Sequence, residues 1–239
     1  MKAILLAAGL GTRLKPLTNT IPKCLVPING KPLLAYWLEK LDKLGVSDIL
    51  INVHYFAEQV EEFVSTSEYR NKITLVRETK LLGTGGTLIS NKGFWRSSPT
   101  IVIHADNYCE DNLTRFLEVH NKRPKKCDAT LLLFETQTPS QCGIVELDSS
   151  GVIHSFHEKV SNPPSNLASG ALFLFSEGVY EKYFAHFKQK NFYEISLDMV
   201  PLLVGSLYSY KTPLRYIDIG TPEAYNKLQT ELLAINKPA

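Results

Sequence analysis

The chain has 239 residues, 44% of them hydrophobic, and 26 Lys+Arg against 24 Asp+Glu give a formal net charge of +2. That length and apolar content suffice for a sizeable core, and the near-neutral balance gives no electrostatic case for nucleic acid or an anionic membrane as partner. The four cysteines, Cys24, Cys109, Cys127 and Cys142, lack C-x-x-C spacing and the six histidines are scattered, so no zinc or redox motif is expected and the thiols read as reduced ones.

Lys2 to Ala8 reads as a short buried strand running into a glycine-containing loop. Its apolar run breaks at Gly9, short of the ~7–15 residues of a signal core. With no run approaching the ~20 apolar residues of a membrane span, a cytoplasmic location is expected. Gly9 to Pro27 holds three prolines and reads as a long loop. Pro32 suits a first helical turn, after which Leu33, Leu34, Trp37, Leu38, Leu41 and Leu44 recur at helical spacing up to Gly45. Ile49 to Val53 is a second strand. Ala57 to Val64 forms a helix with Val60, Phe63 and Val64 inward, and Ile73 to Val76 a third strand. Thr100 to His104 is a buried strand followed by a loop over Ala105 to Glu110. Asp111 is placed to cap a helix whose Leu113, Phe116 and Leu117 face the core. Ala129 to Phe134 is another strand. Strands alternating with helices predict an α/β fold with a mostly parallel sheet covered on both faces.

The texture changes after about residue 137. Gly143 to Leu147 and Val152 to Phe156 form a hairpin around Asp148-Ser149-Ser150-Gly151. Ala171 to Phe175 is a further strand. Leu197 to Leu203, interrupted by Pro201, is a short helix, and Thr221 to about Ile235 a terminal one. No repeat or linker intervenes, so residues 138–239 read as a second lobe of one domain.

Chemistry concentrates first in Leu6-Ala7-Ala8-Gly9-Leu10-Gly11-Thr12-Arg13-Leu14. Glycines let backbone N–H groups close on an anion, and the planar Arg13 guanidinium suits phosphate oxygens. Lys23 follows ten positions later. The dinucleotide fingerprint fails because Leu14 holds its third glycine position and no acidic residue lies in Val26 to Leu34. The P-loop fails because Gly30-Lys31 is followed by Pro32. On the loop alone, a solvated glycine turn remains open.

The run Gly9-x-Gly11-Thr12-Arg13, Pro16-Leu17-Thr18, Pro22-Lys23 and Leu25-Val26-Pro27 closely resembles the opening of the sugar-1-phosphate nucleotidyltransferase family. The resemblance implies a Rossmann-like mixed α/β sheet, the nucleotide over the strand ends and Arg13 and Lys23 on its triphosphate. It also implies a nucleotide-binding lobe up to about residue 137 and a smaller sugar-binding lobe after it. Leu6, Ala8, Gly9, Gly11 and Thr12 are the expected first-loop contacts to the nucleotide.

Asp106 follows a strand end, where open α/β sheets bind ligands, although such an aspartate is commonly a turn residue. Asp218, in Tyr216-Ile217-Asp218-Ile219-Gly220-Thr221-Pro222, is a charge among apolar residues and must be paired, capping or metal-bound. Magnesium takes one or two carboxylates plus phosphates and water. The resemblance makes Asp106 and Asp218 the ligands of Mg²⁺, with Asp106 also touching nucleotide and Asp218 the sugar phosphate. His104-Ala105 departs from the family, which usually shows a residue followed by glycine there.

Glu78 precedes Leu82-Gly83-Thr84-Gly85-Gly86-Thr87, which looks like the segment beside the base in this family, with Gly83 and Thr84 in contact. Gly143, Glu158 and Lys159 match the family's sugar and sugar-phosphate contacts. Ala168 stands where relatives often carry asparagine, leaving Asn166 or Ser169 to substitute. The resemblance implies transfer of a nucleoside monophosphate from an NTP to a sugar 1-phosphate, with Arg13, Lys23 and Asp106 catalytic. Heptose- and mannose-1-phosphate guanylyltransferases come first, and uridylyltransferases on other sugars second. A catalytically silent nucleotide-sugar-binding relative and a dinucleotide-dependent oxidoreductase are the competing classes. With the chain ending soon after Asp218, no appended hexapeptide-repeat acyltransferase domain is expected.

Overall fold

β1 (Lys2–Leu6) has Ala3, Ile4 and Leu5 with no exposed surface. A strand apolar on every face must be central and covered on both sides. The computed structural model, which describes residues 1–189 and 191–235, places it there. The loop after β1 contains three 3₁₀ turns (Thr12–Leu14, Leu17–Asn19 and Lys23–Leu25) and then a small hairpin of β2 (Pro27–Ile28) and β3 (Lys31–Pro32). Pro32 thus closes β3, and α1 (Leu33–Lys43) starts one residue later than expected. Gly45, at φ +70°, turns the chain away after α1.

The alternation continues through β4 (Asp48–Val53), α2 (Ala57–Thr66), β5 (Ile73–Arg77), α3 (Gly83–Ser90), α4 (Lys92–Trp95) and β6 (Thr100–His104). Next come β7 (Asn107–Cys109), α5 (Thr114–Asn121), β8 (Ala129–Glu135), β9 (Gly143–Leu147), β10 (Ile153–Glu158) and β11 (Leu167–Phe175). After two wide π-type turns, Tyr180–Phe184 and Ile195–Met199, come α6 (Val200–Leu203), β12 (Leu207–Lys211), β13 (Tyr216–Asp218) and α7 (Pro222–Ile235).

The main sheet runs β10-β9-β11-β6-β1-β4-β5, with β8 pairing β11 and β12 pairing β8. β6, β1, β4 and β5 are parallel, and β11 lies antiparallel against β6. One face packs Ala3, Leu5, Ile51 and Ile103 against Leu34, Trp37 and Leu38 of α1, Val60 of α2, Phe116 of α5 and Leu228 of α7. The other packs Ile4, Leu6, Leu50 and Val102 against Leu88 and Ile89 of α3, Trp95 of α4 and the turns and helix of residues 180–203. The expected α/β class, with helices over both faces, is what the chain adopts.

Several local expectations change. The loop read over Ala105 to Glu110 contains β7, which pairs antiparallel with β13. These strands are too short for a periodic signal, so neither was legible. Asp111 does not cap α5, whose N-cap position is Leu113. Instead Asp111 is a buried junction whose Oδ1 accepts the Leu113 N–H while Oδ2 accepts the Tyr210 and Thr212 hydroxyls at 2.7 and 2.8 Å. β11 begins at Leu167, before the expected Ala171, and is bulged against β8 between Ser169 and Phe173. Pro201 stands in the first turn of α6 and does not interrupt a helix, because a first-turn proline has no N–H to lose. Among the described residues no helix is long and apolar enough to cross a membrane.

Candidate functional site: a cleft over the parallel strand ends

β1, β4 and β6 end together. Ala7, just beyond β1, donates its N–H to Asn52 Oδ1 at 2.8 Å. Gly11 then takes φ +63°, a left-handed conformation costly for residues with a Cβ. A Cβ there would lie 2.9 Å from Thr18 Cγ2, and the Thr18 hydroxyl donates to the Gly11 carbonyl at 2.7 Å. This close return folds the long loop back on itself and carries Lys23 beneath it.

Lys23 is the electrostatic centre. Its side chain is 7% exposed, and its Nζ lies 2.8 Å from Asp106 Oδ2 and 3.2 Å from Asp218 Oδ1. Arg13, on the exposed rim, reaches Asp218 Oδ2 at 3.5 Å. Burial would lower the Lys23 pKa, but the Asp106 and Asp218 carboxylates outweigh it and raise the value. Burial would raise the Asp106 pKa, but the Lys23 charge and the hydrogen bond from Lys23 outweigh that and hold the carboxyl below its ordinary value. Two carboxylates meeting on one cation, beside a cleft with two basic side chains, suit a divalent ion that carries phosphates. Gly220 keeps this corner open, since a Cβ there would sit 2.8 Å from Asp218 Oδ1 and 2.9 Å from Arg13 Nη2.

The opposite wall is α3. Gly83 opens it at φ +72°, and a Cβ would strike the Tyr193 carbonyl. The N–H groups of Gly85 and Gly86 donate to that carbonyl at 2.8 and 3.1 Å. Glu194 Oε2 accepts from the Thr84 hydroxyl at 2.6 Å and the Thr84 N–H at 3.3 Å. Behind them Glu78, 6% exposed, is held by three donors: Asn52 Nδ2 at 2.9 Å, the Thr87 hydroxyl at 2.5 Å and Leu82 N–H at 3.2 Å.

These walls enclose a cavity of about 370 Å³. Of the residues expected around a nucleotide, Leu6, Ala8, Gly9, Gly11, Thr12, Arg13, Lys23, Gly83, Thr84 and Asp106 all line it. The expected sugar-side residues lie outside this lining. Gly143 pairs with Glu158 across the β9–β10 hairpin, where a Cβ would meet Glu158 Oε2 at 2.8 Å. Lys159 Nζ lies 3.1 Å from Glu158 Oε1. Ser169 Oγ accepts the Ala171 N–H at the β11 bulge. Asp218 joins the two regions: it pairs with Arg13 and Lys23, and its charge reaches Cys142 at the hairpin end. Burial, then the Asp218 and Glu158 carboxylates, push the Cys142 thiol up, against opposing contributions from Thr136 and Lys159.

Asn52, Leu81, Phe192, Glu194 and Gly220 also line the cavity and were not singled out from sequence. Asn52 ends a strand in apolar surroundings, which is a weak polar-in-strand signal. Phe192 and Glu194 sit in an irregular stretch with no periodicity to read.

The nucleotidyl transferase family model matches residues 2–234. The chain is 31% identical to the mannose-1-phosphate guanylyltransferase catalytic subunit beta of Danio rerio, over 94% of this chain and 62% of that protein. It is 33% identical to the glucose-1-phosphate thymidylyltransferase of Streptomyces griseus, over 76% of this chain and 51% of that one. It therefore spans less than two thirds of the length of these curated relatives. Among solved structures it matches HddC from Yersinia pseudotuberculosis complexed with GMP-PN, at TM-score 0.77 and 28% identity, over 97% of this chain and 99% of that one. With the loop, the paired aspartates and the α3 wall assembled around one cleft, the match over nearly the whole chain establishes that this protein belongs to the nucleotidyl transferase family, among sugar-1-phosphate nucleotidyltransferases.

Proposed function

We propose that this protein transfers a nucleoside monophosphate from a nucleoside triphosphate to a sugar 1-phosphate, releasing pyrophosphate. The observation that carries this reading is the convergence of Lys23, Arg13, Asp106 and Asp218 at one end of the cleft. A sugar-phosphate oxygen attacks the α-phosphorus in line, and the bond to the bridging oxygen of pyrophosphate breaks. The nucleophile is already an anion, so positioning and charge stabilisation dominate over general-base work. Arg13 and Lys23 offset charge on the α-phosphate and the leaving pyrophosphate. Lys159 orients the incoming sugar phosphate, while Glu158 and the Gly143 backbone hold sugar hydroxyls. Asp106 and Asp218 would hold a Mg²⁺ ion, which supplies charge neutralisation at the phosphates.

The proposed substrates are GTP with mannose 1-phosphate or D-glycero-D-manno-heptose 1-phosphate. A carboxylate has about four acceptor sites, and three donors engage Glu78. The remaining site can accept one ring N–H of a base, such as guanine N1–H. The guanylyltransferase name of the Danio rerio relative and the GMP-PN in the Yersinia structure support the same base.

The test is pyrophosphate release with Mg²⁺ across four nucleoside triphosphates crossed with a panel of sugar 1-phosphates, with Asp106→Ala as control. Release that requires one sugar phosphate and disappears in the control supports the reading and names both substrates. Preference for UTP or dTTP would correct the base. Nucleotide-sugar binding with no release from any pair would overturn the activity in favour of a silent binding protein.

A further inference from the structure

Three buried side-chain polar atoms lack a hydrogen-bond partner among the described residues: His104 Nε2, Tyr180 Oη and Arg215 Nη1. Only His104 also lines the cleft. Leaving a buried polar group unmatched is costly, so such a group at a binding cleft is matched to something that arrives.

The register of the sheet says what arrives. His104 and Asn52 are both Cα partners of Leu6, so the three side chains stand in a row on one sheet face across β6, β1 and β4. Two strand spacings separate the ends of that row, roughly 10 Å. Asn52 belongs to the base wall, through Glu78 and Thr87. Two residues beyond His104 stands Asp106, bound to Lys23 at the phosphate end. The imidazole therefore lies between base wall and phosphate end, where the pentose of a nucleotide spanning the cleft must lie. Imidazole ring nitrogens can donate and accept hydrogen bonds, as a hydroxyl does.

We infer that His104 hydrogen-bonds a ribose hydroxyl of the bound nucleoside triphosphate and makes this enzyme select ribonucleotides over deoxyribonucleotides. The inference rests on the proposed nucleotide occupancy of the cleft. It concerns the last residue of β6, His104. Ala105 contributes by fixing the strand end, its N–H donating to the Leu6 carbonyl at 3.1 Å.

The experiment is a cycle between protein and ligand. Binding of GTP, 2′-deoxy-GTP and 3′-deoxy-GTP is measured by calorimetry for the wild type, His104→Leu and His104→Gln. The kcat/KM ratios follow with the sugar 1-phosphate found active, and the UTP series replaces GTP if the panel selects UTP. For the wild type, removing the recognised hydroxyl should weaken binding about tenfold, equivalent to about 1.4 kcal/mol. In His104→Leu that ratio should fall to within about twofold of unity, while affinity for the deoxynucleotide stays near the wild-type value. Gln, which keeps a donor and an acceptor, should restore part of the ratio. Equal weakening of ribo- and deoxyribonucleotides in His104→Leu would make the residue structural and overturn the inference. So would a wild type indifferent to both hydroxyls. Absence of binding by any nucleoside triphosphate would instead remove the underlying reading, and the inference with it.

Discussion

Lys23 shows how burial and charge oppose each other at a single side chain. Its contribution to stability is fully present below the unfolded lysine value of about 10.4 and is lost as pH rises through its raised folded value. Asp106 contributes above the unfolded aspartate value of about 3.9, and that is lost as pH falls through its depressed folded value. Asp106 is 39% exposed, so solvent screens its share of the pair, whereas Lys23, at 7% exposure, would lose one of its two carboxylates while still buried. Thermal melts against pH should show Lys23→Met flattening the alkaline limb and Asp106→Asn the acid limb. Either substitution should also lower kcat/KM by about 100-fold or more, because each removes a charged group proposed to act on the reacting phosphates. Retention of turnover by folded Asp106→Asn would remove it from the machinery. These residues are legible through the motifs that resemble the family, since local placement alone leaves Asp106 as an ordinary turn residue. His104 carries no signal of its own in the sequence, where only Ala105 beside it departs from the family, because its unmatched Nε2 is a property of the folded cleft.

At the scale of elements, the opening of α3 is as dependent on what packs over it as on its own sequence. Gly83→Ala combines φ +72° with a Cβ directed at the Tyr193 carbonyl. It should cost about 1–3 kcal/mol in urea unfolding and weaken nucleotide binding by displacing Phe192 and Glu194. Gly93 in α4 is the internal contrast. A methyl group added there would meet no atom within 4 Å, and the Gly93 φ is not positive, so Gly93→Ala should stabilise the fold by about 0.5–1 kcal/mol. Equal effects at the two glycines would show that helix propensity alone accounts for both. The Asp111 junction ties α5 to β12 and the following turn. Asp111→Ala strands two hydroxyls and an N–H and should cost about 3 kcal/mol by the same measurement. Sequence placed Asp111 correctly before α5, but its partners Tyr210 and Thr212 lie about a hundred residues away, beyond any local pattern.

At the scale of the whole molecule, the site is a consequence of chain return. Lys23 and Asp218 are separated by 195 positions, and β13 brings Asp218 back beside β7, which directly follows Asp106. Ligand occupancy should therefore couple to global stability. At 100 times its Kd, GTP with Mg²⁺ should raise unfolding stability by about 2.7 kcal/mol. A midpoint shift of equal size in Asp106→Asn would argue against a metal-assisted site there.

The sequence by itself determined the α/β alternation and the glycine turns of the first loop, and its motifs, through the family they resemble, named the charged residues expected at a site. Apolar periodicity, glycine turns and charge placement are local, and local physics is readable along a chain. Only the tertiary structure decided that Glu194 and Phe192 wall the cleft, that β7 and β13 pair to deliver Asp218, and that His104 stands unpaired between Asn52 and Asp106. Each of those depends on strand register and on close packing between distant segments, where a Cβ or an unmatched nitrogen acquires meaning from what surrounds it in space.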